Sequence, residues 1–343
     1  MKTQNNHAPR SAEEDIVSTS TSIVTLEHTY SSSAVEVLLD DARLKMAESN
    51  PAVAYLLSLG SKRSRLTMGS FLGIVATLLK YPDIFQCPWS ALRRFHVQAV
   101  VEMLQDAGKA PATINTYLSA LKGVAMEAWT LKLIDTDTYQ HIKHVRSVRG
   151  TRLPKGRALS AAEVKKLFFT CESDTGAKGL RDAAIIAVLL GCGLRRSEVV
   201  GLEMGSIERE DQAFRVLGKG NKERLAYMPR GTWERVSLWV EEIRGDHPGP
   251  LFTRIRRYSD VTDDRLSDQA IYHILDTRRV EAGLEKCAPH DLRRTFATSL
   301  LDNGEDIITV KDAMGHSSVA TTQLYDRRGE ERLRQASQRL DIG

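Results

Sequence analysis

His290, Arg293, Arg294, His316 and Tyr325 fall within 36 positions, interleaved with apolar residues at helical spacing. His290 and Arg293 are three apart, so on a helix they share a face. His316 precedes Tyr325 by nine residues. A guanidinium offers a planar fork of donors that suits the non-bridging oxygens of a phosphate. An imidazole can move a proton, and a tyrosine hydroxyl stripped of its proton is a nucleophile. The set reads as one half of a site for attack on a phosphate ester. It still needs a second clamp and an acid for the leaving oxygen.

Two stretches upstream offer these. Arg195 follows Gly193 at the start of an amphipathic helix, with Arg196 beside it. Lys219 sits in the Gly/Asn-rich turn of a predicted β-hairpin, between Ala213–Leu217 and Arg224–Met228. With them the set has two arginines to neutralise a phosphorane, a lysine or histidine to protonate the leaving oxygen, and a tyrosine to hold the phosphate covalently. Each residue also has a plainer reading. Arg195 could pair with Glu198, and Lys222 competes with Lys219 for the acid role. His290 after Pro289 could cap a helix, His316 could fill a turn, and Tyr325 could be core beside Leu324.

The chain has to bring these two halves together. Its 343 residues, 42% of them hydrophobic, suit two domains. Net charge is uneven: −4 over residues 1–48, +6 over 49–150 and +2 over 151–343. A basic second segment fits a polyanion partner, although a solvated charged face is the commoner meaning. Four cysteines (87, 171, 192, 287) lie far apart with no Cys-x-x-Cys, which predicts buried thiols rather than a metal site. No apolar run reaches a membrane span and the N-terminus lacks a signal-peptide core, so an intracellular, cytoplasmic protein is expected.

Taken in order, residues 1–48 read as a Ser/Thr-rich tail, with a short helix over Ala34–Glu48. Residues 49–146 read as a helical bundle: Ala52–Leu59, Leu66–Leu79 capped near Thr67, Ala91–Asp106, and Thr113–Leu131 with a clear apolar stripe. Polar residues of the last helix, Asn115, Thr116, Ser119 and Lys122, are candidates to face DNA. Residues 147–158 read as a basic linker, with Arg149, Arg152, Lys155 and Arg157 suited to a phosphate backbone. From Ser160 the pattern is mainly α with a small antiparallel sheet. It opens on a capping box, Ser160 to Glu163, and continues with a buried helix to Gly191. Later helices span Thr232–Ile243 and residues 267–283, and most segments after Pro289 read as helical.

Four boxes in fixed order then carry a resemblance. They are Gly-Leu-Arg195-Arg-Ser-Glu-Val-Val-Gly-Leu, Gly-Lys219-Gly-Asn-Lys-Glu-Arg, Pro-His290-Asp-Leu-Arg293-Arg-Thr-Phe-Ala, and Met-Gly-His316-Ser-Ser-Val-Ala-Thr-Thr-Gln-Leu-Tyr325. The chain resembles the tyrosine recombinases, the phage integrase and Xer family, well over residues 155–330. Residues 50–145 resemble the family only as a helical core-binding domain. Arg294 departs from the pattern, standing where many relatives carry a second histidine.

The resemblance implies a mainly α protein: a SAM-like helical core-binding domain, then an α+β catalytic domain (159–343) of the DNA breaking-rejoining fold. It implies that Arg195 and Arg293 clamp the scissile phosphate and that Lys219 is the general acid. His290 would assist Tyr325, and His316 would bond a phosphate oxygen. Tyr325 would form a 3′-phosphotyrosine, with strand exchange through a Holliday junction in a homotetramer on paired double-stranded DNA sites. A partner recombinase or DNA-bending protein is a possible addition. No metal or nucleotide cofactor is implied. The amphipathic stretch Glu330–Leu340 would dock on a neighbouring protomer. A catalytically silent DNA-binding accessory protein and a type IB topoisomerase-like relaxing enzyme are the rival functions.

Overall fold

The computed structural model describes residues 45–150, 152, 156–218, 222–257, 260–326 and 337–338. The chain divides into two compact units, with the break between residues 153 and 154. The helix expected over Ala34–Glu48 lies outside the described residues except at its end, as does Glu330–Leu340 except at residues 337–338.

Among the described residues, the regular elements of the first unit are all helical. Asn50 starts it: its Oδ1 accepts from the N–H of Ala52 (3.0 Å) and Val53 (3.3 Å), and Pro51 fills the first helical position of Pro51–Ser58. The next helix spans Lys62–Leu78. Its cap is Ser61, whose Oγ accepts from Ser64 N–H at 3.0 Å, and not Thr67, which lies inside the helix. A 3₁₀ turn, Trp89–Ala91, precedes the helix Arg94–Asp106. The central helix Pro111–Thr130 buries Ile114, Tyr117, Leu118, Leu121, Val124 and Ala125, the predicted stripe. Tyr117 stacks on Phe71, ring centroids 4.3 Å apart. A last helix, Thr136–Lys143, is capped by Asp135, which accepts from Thr138 N–H at 2.6 Å.

The second unit is mainly helical with small antiparallel sheets. The Ser160–Glu163 capping box opens the helix Ala161–Ser173, Ser160 Oγ accepting from Glu163 N–H at 3.3 Å and Glu163 Oε2 from Ser160 N–H at 2.9 Å. The helix Ala177–Gly191 runs through the core, with Ile185, Ile186, Val188 and Leu189 fully buried. Strands β1 (Ile207–Glu208), β2 (Ala213–Leu217) and β3 (Glu223–Tyr227) form one antiparallel sheet, and Val216 pairs with Arg224. The helix Arg230–Trp239 ends in a π turn, Val240–Arg244, and Trp239 anchors it by donating to Leu251 C=O at 2.9 Å. A second pair of strands, β4 (Thr253–Ile255) and β5 (Val261–Arg265), has no clear signature in the sequence. Four of β5's five residues are exposed, so there is little apolar alternation to read.

Helices Asp268–Glu281, Pro289–Asp302, Ile307–Met314 and Val319–Gln323 complete the unit. Arg278 ties the first of them to the core, reaching Asp182 at 2.9 Å and Asp174 at 2.6 Å. Tyr325 closes a small cluster with Ala297, Leu301, Val310 and Met314. All four cysteines are buried free thiols. Among the described residues, no helix is long and apolar enough to cross a membrane.

Candidate active site

Arg195 is the N-cap of the short helix Arg196–Gly201. Its backbone N–H donates to Glu198 Oε2 (2.8 Å), the glutamate half of a capping box, and its Nη1 donates to Glu198 Oε1 (2.7 Å). Its Nη2 donates to Gly315 C=O at 3.0 Å, so the fork bridges this turn to the one before His316. The side chain is 36% exposed, open on one side. The pairing of Arg195 with Glu198, read from sequence as a rival to catalysis, is present; it leaves the guanidinium at the rim of the site.

Glu198 is the buried hub. It also receives both terminal nitrogens of Arg224, at 3.2 and 3.0 Å, and its Oε2 is 3.9 Å from Arg293 Nη1. Burial raises its carboxyl, but hydrogen bonds from Arg224 and Arg195 outweigh that and hold it below the usual value.

Arg293 lies one turn along the helix from His290, as their spacing predicts, and is fully buried. Its Nη1 donates to Gly193 C=O, and its Nη2 donates to Met314 C=O at 2.6 Å and His316 Nε2 at 2.9 Å. Burial and the Arg195 charge push it down to about 10, still protonated at neutral pH. Gly193 makes this approach possible. It sits at φ +56°, and a Cβ there would lie 2.2 Å from the Phe296 ring.

His316 follows Gly315, the left-handed C-cap of Ile307–Met314. Its Nδ1 meets Thr322 Oγ1 at 2.9 Å. Tyr325 stacks on the His316 ring, centroids 5.9 Å apart, and Arg294 lies over the Tyr325 ring at 5.2 Å. The Tyr325 hydroxyl is 3.1 Å from His290 Nε2, while the residue as a whole is 5% exposed. Burial, then the charges of Arg293 and Arg294, hold the His290 imidazole below its usual value, so it is neutral and able to accept.

Five of the six sequence-predicted catalytic residues therefore converge: Arg195, His290, Arg293, His316 and Tyr325. The sixth, Lys219, lies outside the described residues. The β2–β3 hairpin is closed by Gly218 N–H donating to Lys222 C=O at 2.8 Å. Gly315 accepts from the Arg195 fork and the next residue, His316, stacks on Tyr325, so the fork and the Tyr325–His290 pair border one basic cluster, suited to a phosphodiester and an attacking hydroxyl.

The DNA-contact candidates divide. Ser119 and Arg149 are exposed. Asn115 exchanges two bonds with Val148, at 3.0 and 2.9 Å, and Lys122 donates to Val145 C=O at 2.7 Å, so both staple the 145–148 segment to the central helix. Thr116 donates back to Ala112 C=O at 2.9 Å, and Arg152 donates to Gly108 C=O at 2.7 Å. Arg157 is held by Glu163 at 2.8 and 2.5 Å. Lys155 lies outside the described residues.

Sequence reasoning missed Arg224 and Thr322. Arg224 was legible in principle: it shares strand parity with Ala226, whose side chain is buried, so a long cation points inward. Thr322 carried no signal beyond its distance of three residues from Tyr325.

The profile of the phage integrase family matches residues 157–332. A tyrosine recombinase XerD of Pseudomonas putida is 35% identical over 237 residues, covering 67% of this chain and 76% of the relative. A tyrosine recombinase XerC of Corynebacterium efficiens is 30% identical over 259 residues, covering 74% and 78%. A lambda integrase tetramer bound to a Holliday junction has a similar fold, with TM-score 0.59 at 18% identity over 94% of this chain and 89% of that one. The XerH site-specific recombinase bound to a palindromic difH substrate gives 0.57 at 20% identity, over 96% and 97%.

Proposed function

The chain belongs to the phage integrase family and is a tyrosine-type site-specific recombinase; from that premise we propose that Tyr325 carries the reaction on double-stranded DNA. Its hydroxyl oxygen attacks the scissile phosphorus while the proton passes to His290 Nε2. The new bond is a 3′-phosphotyrosine, and the bond that breaks is to the 5′-oxygen, which takes a proton from Lys219. Reversal by another strand's 5′-hydroxyl rejoins the backbone without a net loss of phosphodiester energy.

The observation that carries this reading is the 3.1 Å bond between Tyr325 and His290 beside the arginine cluster. Arg195 spends one N–H on Glu198 and one on Gly315 among its described bonds. Three of its five donors remain for the non-bridging oxygens. Arg293 keeps its charge close by from a fully buried position.

The similarity to a lambda integrase tetramer on a Holliday junction supports exchange by a tetramer, two protomers on each of two sites. An apolar cavity of about 350 Å³, lined by Cys192, Leu225, Met228, Phe296, Leu300 and Ala313, is a fitting acceptor for the 330–340 stretch of a neighbouring copy. Such work belongs where the DNA lies, in the cytoplasm at the nucleoid.

The test is a suicide DNA substrate whose nick lets the short fragment bearing the new 5′-hydroxyl escape. A covalent adduct that requires Tyr325 is expected. No adduct, with DNA binding intact, would leave a silent accessory protein. Adduct and supercoil relaxation without exchange between two cognate sites would leave a relaxing enzyme.

A further inference from the structure

Arg224 has no part in the chemistry above, yet it lies against most of it. It stands on β3 opposite Val216, just beyond the hairpin tip, and its side chain is 15% exposed. Its fork closes on Glu198 at two points, Nη1 to Oε1 at 3.2 Å and Nη2 to Oε2 at 3.0 Å. The same carboxylate holds the Arg195 fork at 2.7 Å and the Arg195 backbone at 2.8 Å. The guanidinium also lies flat on Gly315: a Cβ there would be 3.0 Å from Cζ, Nε and Nη1. Gly315 is the residue whose carbonyl accepts from Arg195. One side chain therefore touches both groups that orient the Arg195 fork.

Charge makes this contact matter. A phosphate clamp works by surplus positive charge, because the phosphorane gathers more negative charge than the ground state. Glu198 is buried and works against that surplus. It pairs with Arg195 and lies 3.9 Å from Arg293. Arg224 meets both carboxylate oxygens and so offsets the buried negative charge. Without it, Glu198 would draw the Arg195 fork fully to itself, and its buried charge would cancel more of the positive charge that meets the incoming phosphate.

We propose that Arg224 is a positioning residue for the recombination reaction: by a two-point ion pair it holds and offsets Glu198, so that Arg195 keeps the orientation and surplus charge with which it meets the scissile phosphate. The inference rests on the recombinase reading and adds to it a residue that acts through another side chain.

A mutant cycle of wild type, Arg224→Met, Glu198→Gln and the double variant tests it. Adduct formation on suicide DNA is measured at saturating protein, with DNA affinity and thermal unfolding measured separately. Arg224→Met is expected to slow adduct formation by about 100-fold, the scale of losing a preorganised donor, with affinity within about threefold. Adding Glu198→Gln removes the opposing carboxylate charge and should recover about tenfold, because the two sites are coupled. A merely structural role predicts that the double variant is the slowest and that rate falls in step with melting temperature. Arg224→Lys keeps the charge without the two-point grip and should lie between wild type and Arg224→Met, which keeps the test open should the methionine variant misfold. An Arg224→Met or Arg224→Lys protein as fast as wild type would overturn the inference, as would a folded double variant no faster than Arg224→Met. Absence of adduct from wild type as well would overturn the recombinase reading, and this inference with it.

Discussion

Arg293 and His316 meet nitrogen to nitrogen, with Nη2 2.9 Å from Nε2. A guanidinium can only donate, so His316 Nε2 is bare and accepts. The proton of the neutral ring then sits on Nδ1 and is donated to Thr322 Oγ1 at 2.9 Å. A bond from His316 Nε2 to a phosphate oxygen therefore requires the ring to gain a proton or to exchange roles with Thr322. Nitrogen-detected NMR of the DNA-free protein at pH 7 should show His316 protonated on Nδ1 alone. A proton on Nε2 would refute the assignment.

The same ring sets a pH dependence. Burial, then the charges of Arg293 and Arg195, push the His316 imidazole from 6.5 down to about 4. As pH falls through that window, the unfolded chain takes up a proton that the folded one refuses. Stability is therefore full above about 6.5 and is lost toward about 4. His290 is lowered as well and adds in the same direction. Thermal unfolding at pH 7, 6 and 5 should show the decline, and His316→Asn should flatten it. An unchanged slope in the variant would assign the effect elsewhere.

The residues of the site were legible because their chemistry is carried by type and order, and the helices that hold them have strong 3.6-residue patterns. Pro289 at the helix start and the spacing of His290 and Arg293 were enough to predict a shared face. Other features depend on the fold. Arg224 and Glu198 are 26 residues apart, one on β3 and the other on the helix Arg196–Gly201, and only the tertiary fold brings them together. Asn115 looked like a solvent-facing polar residue until the 145–148 segment folded over it. Strand β5 is exposed and polar, so it left no alternation to read.

Gly193 should tolerate no side chain. Its φ of +56° favours glycine, and a Cβ would lie 2.2 Å from the Phe296 ring, next to the carbonyl that receives Arg293. Gly193→Ala is expected to cost about 1–3 kcal/mol for the backbone alone, and more for the clash. Denaturant unfolding should show the loss, with adduct formation reduced beyond it because Arg293 loses its acceptor geometry. A variant as stable and active as wild type would contradict this packing.

Tyr325→Phe isolates the hydroxyl. The ring keeps its stack on His316 and its place under Arg294, so only the bond to His290 is lost. That should cost about 1 kcal/mol or less, since the pair is only partly buried and His290 can turn its Nε2 to water. DNA affinity should be unchanged and the covalent adduct absent. An adduct formed by Tyr325→Phe would place the nucleophile elsewhere.

Lys219 and Lys222 are three residues apart in sequence, and the leaving oxygen's need for a proton can tell them apart. A 5′-oxygen leaves poorly unless it is protonated, whereas a 5′-bridging sulfur needs no proton. If Lys219 is the acid, Lys219→Ala should slow cleavage of ordinary DNA by about 10²–10⁴-fold, the usual worth of general acid catalysis. The sulfur substrate should restore it to near the wild-type rate, because the arginine clamp and Tyr325 are untouched. Lys222→Ala should cleave ordinary DNA at close to the wild-type rate, since Lys222 is exposed at the turn end of the hairpin and its carbonyl, not its amine, closes the turn. Rescue of Lys222→Ala instead of Lys219→Ala would move the acid role three residues along the hairpin.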